Sequence, residues 1–210
     1  MEKDFKIILA TNSSRRIELF KNICNEFEVY KQTYIEVKNY SKNPKVTVLS
    51  NSSNKAKNVN LNTSCKHCII ISADTIVTLK DRIYGKPENK EEAIFFLKSL
   101  SGKSHNVYTG VTIILRQDNI VREITFFEKT VVTFQSISIS DIIEYINNYN
   151  PLDKAGAYGI QEIPSSFIKN IDGDYDNVVG LPIKKLKREL ESILNSLWLF
   201  LYKRKTNYIN

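Results

Sequence analysis

A short run of β-branched residues, Ile69 to Ile71, most constrains the fold of this 210-residue chain. Apolar runs of this length are typical of buried strands. The run is expected to end at Asp74, and a Gly-Lys-Pro turn presents Lys86 twelve positions later. Because α/β sheets place ligand sites at the carboxyl ends of strands, we interpret Asp74 as a functional residue. An aspartate that only caps the next turn fits this segment equally well.

The amino-terminal residues predict an anion site. Residues 5–10 fit a strand, and Thr11 opens a polar turn that leads into a helical repeat of apolar residues. Arg15 and Arg16 fall in the first turn of that helix, where cations oppose the helix dipole at a cost of up to ~1 kcal/mol. An anionic ligand bound at the helix amino terminus would offset this cost. Surface ion pairs with acidic neighbours such as Glu18 are the alternative.

The rest of the chain shows no repeat and no linker, which predicts a single α/β domain over residues 1–210. A polar second strand with Glu36 at its exit should precede a series of helices and one antiparallel strand pair. Ser140 is expected to cap the helix after that pair. The predicted ranges are 26–40 for the polar strand, 46–60, 89–100 and 141–149 for helices, 60–66 for a loop, 106–115 and 121–134 for the strand pair, and a final helix from about Leu186.

The positive charge of the chain is concentrated near its carboxyl end. The net charge is +7, and the segment from Lys184 to Lys205 alone carries +5. Basic segments attract polyanions, but a run of this kind is more often a solvated helix face. Its aromatic residues fall in the apolar stripe of the helix, whereas single-strand binding surfaces combine aromatics with basic groups on one face. Nucleic acid is therefore not the favoured partner of the basic tail at 184–210.

Three cysteines, Cys24, Cys65 and Cys68, argue against a disulfide framework and fit a reducing compartment. The sequence from Cys65 to Cys68 has the spacing of a zinc half-site. A structural zinc site needs four ligands, and no second paired motif is present. We therefore favour ordinary packing roles for the cysteines, and we expect His67 and His105 to lie in a loop and a turn.

The hydropathy pattern predicts a soluble, cytoplasmic protein that does not contact a membrane. The apolar stretch within residues 5–10 is too short for the hydrophobic part of a signal peptide. The longest apolar run, residues 197–202, falls far below the ~20 residues that a membrane-spanning helix requires.

The residues capable of chemistry form a short set of cations, hydroxyl groups and carboxylates. Lysine and arginine bind phosphate oxygens, and carboxylates bind hard cations such as Mg²⁺. The set therefore suits a polyphosphate together with its divalent metal, and no P-loop sequence is present. Its members are Thr11, Arg15, Arg16, Lys55, Lys86, Asp74 and Glu36.

Several motifs, in order along most of the chain, carry a resemblance to a known family. The chain resembles the Maf family of nucleoside triphosphate pyrophosphatases. It departs from the family signature at Thr11, where serine is usual, and at Ser14, where proline is usual. The matching segments are LATNSSRRIEL at 9–19, SADTIV at 72–77, GKP at 85–87, LSGKSHNVYTG at 100–110, DKAGAYGIQ at 153–161 and IDGDYDNVVGLP at 171–182.

The resemblance implies a mixed, twisted sheet with flanking helices, arranged as two lobes around a central cleft. It implies hydrolysis of a nucleoside triphosphate to the monophosphate and pyrophosphate, with Mg²⁺ or Mn²⁺ as cofactor. It also implies a homodimer.

The resemblance assigns roles to particular residues. Asp74 matches the proton acceptor and, with Glu36, the metal-binding position. The family branch that prefers dTTP and UTP has Arg, Thr and Gln at three selective positions, which here are Arg15, Thr75 and Gln161. The positions that match phosphate contacts are Arg15, Arg16, Lys55 and Lys86, and Thr11 keeps a hydroxyl group at a substrate-binding position.

A second interpretation belongs to a different class of protein. The basic tail and the polar stretch at 41–64 also fit a non-catalytic protein that binds nucleic acid or takes part in cell division. Pyrophosphate release from dTTP, compared between the wild type and Asp74→Asn, separates the two interpretations.

Overall fold

The computed structural model describes residues 5–34, 43–62 and 64–206. Within these ranges the chain forms a mixed sheet of seven strands with helices packed against it, which confirms the predicted fold class. The strands are β1 (Lys6–Ala10), β2 (Glu28–Tyr30), β3 (His67–Leu79), β4 (Arg82–Tyr84), β5 (Ser104–Gln117), β6 (Ile120–Phe134) and β7 (Ile168–Asp172). The helices are α1 (Ser14–Lys21), α2 (Pro44–Asn62), α3 (Lys90–Leu100), α4 (Ile139–Asn148), α5 (Tyr175–Val179) and α6 (Ile183–Thr206).

The sheet changes direction at its third strand. Its order is β2-β1-β3-β5-β6-β7, and β4 pairs with β3. The strand β1 runs parallel to β2 and β3, whereas β3, β5, β6 and β7 pair antiparallel in sequence. The predicted antiparallel pair is β5 and β6. Because β3 lies between the parallel and antiparallel parts, its residues can reach elements from both halves of the chain.

The strand β3 does not end at Asp74, so that prediction was wrong. It continues to Leu79, and its last residues pair with both β4 and β5. The polar residues Ser72 and Asp74 interrupt the apolar run in the sequence, but the β-branched residues after them continue the strand. Asp74 therefore lies inside a long strand, directly opposite Gly110 of β5.

Successive residues of β3 face two different sides of the sheet, as the two-residue period of a strand requires. Ile69 and Ile71 belong to the main core, which also contains residues of α1, α3, α4 and α6. Ile70 belongs to a smaller core beneath α2. By the same alternation, Asp74 lies on the α2 side and Thr75 on the side of α1 and α5.

Gly110 allows α2 to lie unusually close to the sheet. A Cβ atom at this position would lie 2.4 Å from the carbonyl oxygen of Val48 in α2. Such a distance is far below van der Waals contact, so only glycine fits unless the helix moves. The glycine thus brings the middle of α2 over Asp74, its partner across the strand pair.

Several local predictions were inaccurate at the ends of elements. The cap of α4 is Ser138 rather than Ser140, because the Ser138 side chain accepts a hydrogen bond from the amide of Asp141. The helix α2 extends to Asn62, so the predicted loop at 60–66 is partly helical. Within the described residues of the predicted polar strand, only Glu28–Tyr30 is extended and paired.

Both histidines lie in strands rather than in a loop and a turn. His67 begins β3, and His105 is a buried residue of β5 whose Nε2 lies 2.8 Å from the Tyr158 hydroxyl. Burial lowers the pKa of His105 to about 4, and hydrogen bonding of the ring to the backbone carbonyl of Lys103 only partly opposes that shift. His105 is therefore a neutral core residue at neutral pH.

The three cysteines are free thiols. Burial, followed by the influence of Cys65, raises the pKa of Cys68 to about 12. Among the residues that the structure describes, no helix is both long and apolar enough to cross a membrane.

Candidate active site

A cleft of about 380 Å³ lies beside the sheet. Its walls come from the β1–α1 turn, from α2, from the middle of β3 and from the segment 153–160. It brings together residues that are widely separated in sequence. The predicted site residues in its walls are Thr11, Arg15, Arg16, Lys55, Asp74, Thr75 and Lys86.

Two predicted site residues are not among these walls. Gln161 is exposed and does not line the cleft, although Gly159 and Ile160 directly before it do. Glu36 lies outside the described residues. The roles assigned to both residues stay predictions.

Asp74 is held from the α2 side by two donors. Lys55 Nζ lies 2.6 Å from Asp74 Oδ1, and Asn51 Nδ2 lies 2.9 Å from Asp74 Oδ2. Asn51 and Lys55 are four residues apart on one helix, so they occupy the same face. All three side chains are buried. Each carboxylate oxygen therefore has a fixed partner, and the acid is oriented before any ligand arrives.

The turn before α1 places both arginines at the cleft. The Thr11 hydroxyl accepts a hydrogen bond from the amide of Ser13, and the Ser13 hydroxyl accepts one from the amide of Arg16. These contacts make Ser13 the cap of the helix. Arg15 and Arg16 consequently occupy the first helical turn, as the sequence predicts.

Arg15 pairs across the cleft with a residue that the sequence analysis missed. Its Nη1 lies 3.0 Å from Asp153 Oδ2, and the buried Lys154 Nζ lies 2.8 Å from Asp153 Oδ1. Burial raises the pKa of Asp153, but the hydrogen bonds and charges of Lys154 and Arg15 outweigh burial and hold it below its ordinary value. Asp153 is therefore a negatively charged competitor for any anion that approaches Arg15.

Arg16 is fixed on the side of β3 that faces α1 and α5, opposite to the side of Asp74. Its Nε donates to the carbonyl oxygen of Gly180 at 2.8 Å, and its Nη2 donates to Thr75 Oγ1 at 3.0 Å. Both arginines thus lie in the cleft wall, where Arg15 contacts an acid of the facing segment and Arg16 contacts β3 and the residue that ends α5.

The possible metal ligands around Asp74 fit a divalent-metal site only in part. No group of three or more His, Cys, Asp and Glu side chains that could hold a metal occurs in the described ranges. Mg²⁺ is nevertheless commonly bound through one or two carboxylates, with substrate phosphates and water completing its shell. Asp74 lies in a cleft lined by cations that could hold phosphates, so it fits this way of binding Mg²⁺ through one carboxylate, phosphates and water.

Three residues that were not predicted to belong to the site had a signal in the sequence. Asn51 lies four positions before Lys55, so a helix containing a functional Lys55 places Asn51 beside it. Asp153 and Lys154 begin the segment DKAGAYGIQ, which is one of the segments that carry the family resemblance. Nothing in the sequence indicates that Asp153 would pair with Arg15, because 138 positions separate them.

The fold and the cleft define an α/β protein with a cation-lined pocket around one buried acid. The model of the Maf-like protein family matches residues 6–193, and the chain belongs to this family.

Named relatives are similar along most of their length. The chain is 46% identical to a dTTP/UTP pyrophosphatase of Bacillus cereus over 186 residues, which cover 89% of this chain and 94% of the relative. It is 46% identical to a dTTP/UTP pyrophosphatase of Carboxydothermus hydrogenoformans over 187 residues, which cover 88% of this chain and 97% of that one. A solved structure of the Staphylococcus aureus Ham1 protein is more distantly similar, with 16% identity, a TM-score of 0.47 and coverage of 89% of this chain and 98% of that chain.

Proposed function

We propose that this chain is a nucleoside triphosphate pyrophosphatase that hydrolyses dTTP and UTP to the monophosphate and pyrophosphate. The observation that carries the proposal is the buried Asp74, held by Lys55 in the same cleft as Arg15, Arg16 and Lys86. The names of relatives that share 46% identity with this chain support the choice of substrate.

The proposed chemistry is attack of water on the α-phosphorus. Asp74 would accept the proton of the attacking water, a role that typically contributes 10²–10⁴-fold to a rate. The bond to the bridging oxygen then breaks, and negative charge collects on the departing pyrophosphate. Arg16 and Lys86 are the cations proposed to stabilise that charge where it develops.

A divalent metal is part of the proposal. Mg²⁺ or Mn²⁺ would be held by Asp74 and Glu36 together with the phosphates, and when bound it would supply charge neutralisation and polarisation of a phosphoryl oxygen. Gln161 is proposed to read the pyrimidine edge, because an amide offers both a donor and an acceptor. Thr75 and Arg15 are the other two residues proposed to select dTTP and UTP.

The test compares products as well as rates. Wild-type protein with Mg²⁺ should release pyrophosphate and dTMP from dTTP, and should turn over dTTP and UTP faster than dATP, dGTP or dCTP. Asp74→Asn should lose at least about a hundredfold in kcat. Asp81→Asn, in the exposed β3–β4 turn, is the matched control. Equal pyrophosphate release by wild type and Asp74→Asn would overturn the assignment.

The basic run at the carboxyl end offers nucleic acid less charge than its sequence indicates. Lys185 Nζ donates to the carbonyl oxygen of Phe127 at 2.8 Å and lies 3.4 Å from Glu128 Oε2. At least one lysine of the run therefore attaches α6 to β6. This contact favours the enzyme over the nucleic-acid-binding alternative.

We also propose that the enzyme acts as a single domain, forms a homodimer and works in the cytoplasm. The family match over one continuous stretch supports a single domain. Three free thiols fit a reducing compartment. Light scattering coupled to size-exclusion chromatography tests the dimer, for which the support is the family resemblance.

A further inference from the structure

A row of hydrogen bonds leads away from Arg16 into the protein. Arg16 Nη2 lies 3.0 Å from Thr75 Oγ1, which lies 2.9 Å from Thr109 Oγ1, which lies 3.0 Å from the carbonyl oxygen of Asn177. Thr75 and Thr109 face each other directly in the β3–β5 register. Thr109 and Asn177 are completely buried. The row therefore connects a cation of the cleft wall to the interior of the fold.

The direction of every hydrogen bond in this row is determined. A threonine hydroxyl has one hydrogen and two lone pairs. The carbonyl of Asn177 can only accept, so the single hydrogen of Thr109 points to it. Thr75 must then donate its own hydrogen to Thr109, and Thr75 Oγ1 accepts from the guanidinium of Arg16.

The inner end of the row is anchored to two strands. Asn177 Nδ2 donates to the carbonyl oxygen of Val107 at 3.2 Å and to Thr130 Oγ1 at 3.0 Å. Thr130 in turn donates to the carbonyl oxygen of Asp174 at 2.8 Å. The acceptor that orients Thr109 is thereby tied to β5 and β6 and cannot turn away without breaking buried hydrogen bonds.

We propose that Thr109 is a positioning residue that acts on Arg16 through Thr75. Thr109 removes the only hydrogen of Thr75 from the cleft, so Thr75 offers the cleft a lone pair and no donor. The lone pair of Thr75 that faces α1 accepts a hydrogen bond from Arg16 Nη2, while the carbonyl oxygen of Gly180 accepts one from Nε. This inference rests on the proposed function for its kinetic consequence, because Arg16 is a proposed phosphate contact.

The test begins with three variants of the row. Thr75→Val removes the acceptor of Arg16 and should lower kcat/KM for dTTP by about tenfold or more, the loss expected for a hydrogen bond to a charged group. Thr109→Val keeps the shape of the side chain and should give a smaller loss, about threefold to tenfold. Thr109→Ser keeps the hydroxyl group and should restore activity to within about twofold of wild type.

A double-mutant cycle separates positioning from general destabilisation. If Thr109 acts only through Thr75, Thr75→Val/Thr109→Val should be no slower than Thr75→Val alone, since the path is already broken. Independent structural damage would instead multiply the two losses. The matched control is Thr112→Val, which removes another buried hydroxyl from β5, one that pairs with Ser52 at 2.9 Å. It should leave kcat/KM within about twofold of wild type at a similar loss of stability.

A second measurement does not depend on catalysis. The Arg16 Nε–H signal, assigned in ¹⁵N-arginine-labelled protein with Arg16→Lys, should exchange with solvent faster in Thr75→Val and in Thr109→Val, but not in Thr112→Val. Unchanged exchange in both row variants, or multiplied losses in the double variant, would overturn the inference. If wild-type protein releases no pyrophosphate, the proposed function fails, and the exchange rates still decide whether Thr109 orients Arg16.

Discussion

Lys55 and Asp74 form a buried ion pair in which Nζ and Oδ1 are 2.6 Å apart. Neither side chain exposes more than 7% of its surface. The two residues come from different elements, α2 and β3, so the pair fixes the helix to the strand at the centre of the cleft. A pair in this position serves both the fold and the proposed chemistry, and the two contributions can be measured separately.

Removing only the lysine should destabilise the protein strongly. Lys55→Met leaves a buried carboxylate without its cation, which typically costs about 3–5 kcal/mol. Urea unfolding should show this loss, and Lys55→Met/Asp74→Asn should recover part of it because an amide tolerates burial better than a carboxylate. A double variant no more stable than Lys55→Met would contradict the pairing.

Neutralising Asp153 should strengthen the binding of triphosphate. The carboxylate of Asp153 competes for Arg15, and its lowered pKa keeps it charged at neutral pH. Asp153→Asn should therefore lower KM for dTTP by about twofold to fivefold, which is the size expected for a partly exposed ion pair. The effect should shrink in high salt.

The matched control for this measurement is Glu26→Gln, an exposed acid of the α1–β2 connection. It changes the net charge by the same amount and should leave KM unchanged. A rise of KM in Asp153→Asn would mean that Asp153 helps to bind the substrate rather than competing with it.

A methyl group at Gly110 should disturb both stability and activity. The added atom would lie 2.4 Å from the backbone of Val48, so α2 must move away from the sheet. Overpacking of this kind typically costs about 1–3 kcal/mol. Because α2 carries Asn51 and Lys55, Gly110→Ala should also lower kcat, as measured by pyrophosphate release.

Ser104→Ala is the control for Gly110→Ala, because Ser104 is an exposed residue at the start of the same strand. It should change unfolding free energy by less than about 0.5 kcal/mol. Full activity in a folded Gly110→Ala protein would show that the position of α2 tolerates adjustment.

His105 should make the protein less stable in mild acid. Burial lowers its pKa from 6.5 to about 4. Below pH 6.5 the unfolded chain binds a proton at this residue and the folded protein does not, so its contribution to stability is complete above that pH and is lost as pH falls towards 4. The loss is on the order of 3 kcal/mol at most.

Unfolding free energies from pH 7.5 to 4.5 check this prediction. His105→Gln should flatten the pH dependence because glutamine does not titrate. Identical slopes for wild type and His105→Gln would remove His105 as the cause.

The sequence predicted the cleft better than it predicted the reasons for its geometry. Strand β1 and helix α1 follow from periodicity and capping, so Arg15 and Arg16 were placed in the correct turn. The second half of β3 was not predicted, because the polar residues Ser72 and Asp74 resemble the polar residues that commonly follow a strand. Periodicity describes which face a residue occupies, but not what lies across from it.

The contacts that were not predicted join residues that are far apart in the sequence. Asn51 reaches Asp74 only because Gly110, far along the chain, lets α2 lie close to the sheet. Asp153 meets Arg15 only because the segment after α4 folds back over the cleft. Neither contact leaves a local pattern in the sequence. The types of residue in the site could therefore be predicted, but not which of them contact each other.

The alternation along β3 ties the proposed catalytic acid and a proposed specificity residue to one strand. Asp74 reaches α2 and its neighbour Thr75 reaches α1, so inserting or deleting one residue earlier in this strand would exchange the two side chains and disable both at once. Loops around the cleft are under no such restriction. Relatives that acquire new substrates on this scaffold should therefore differ at β3 by substitution alone, and length variation should be confined to the cleft rim.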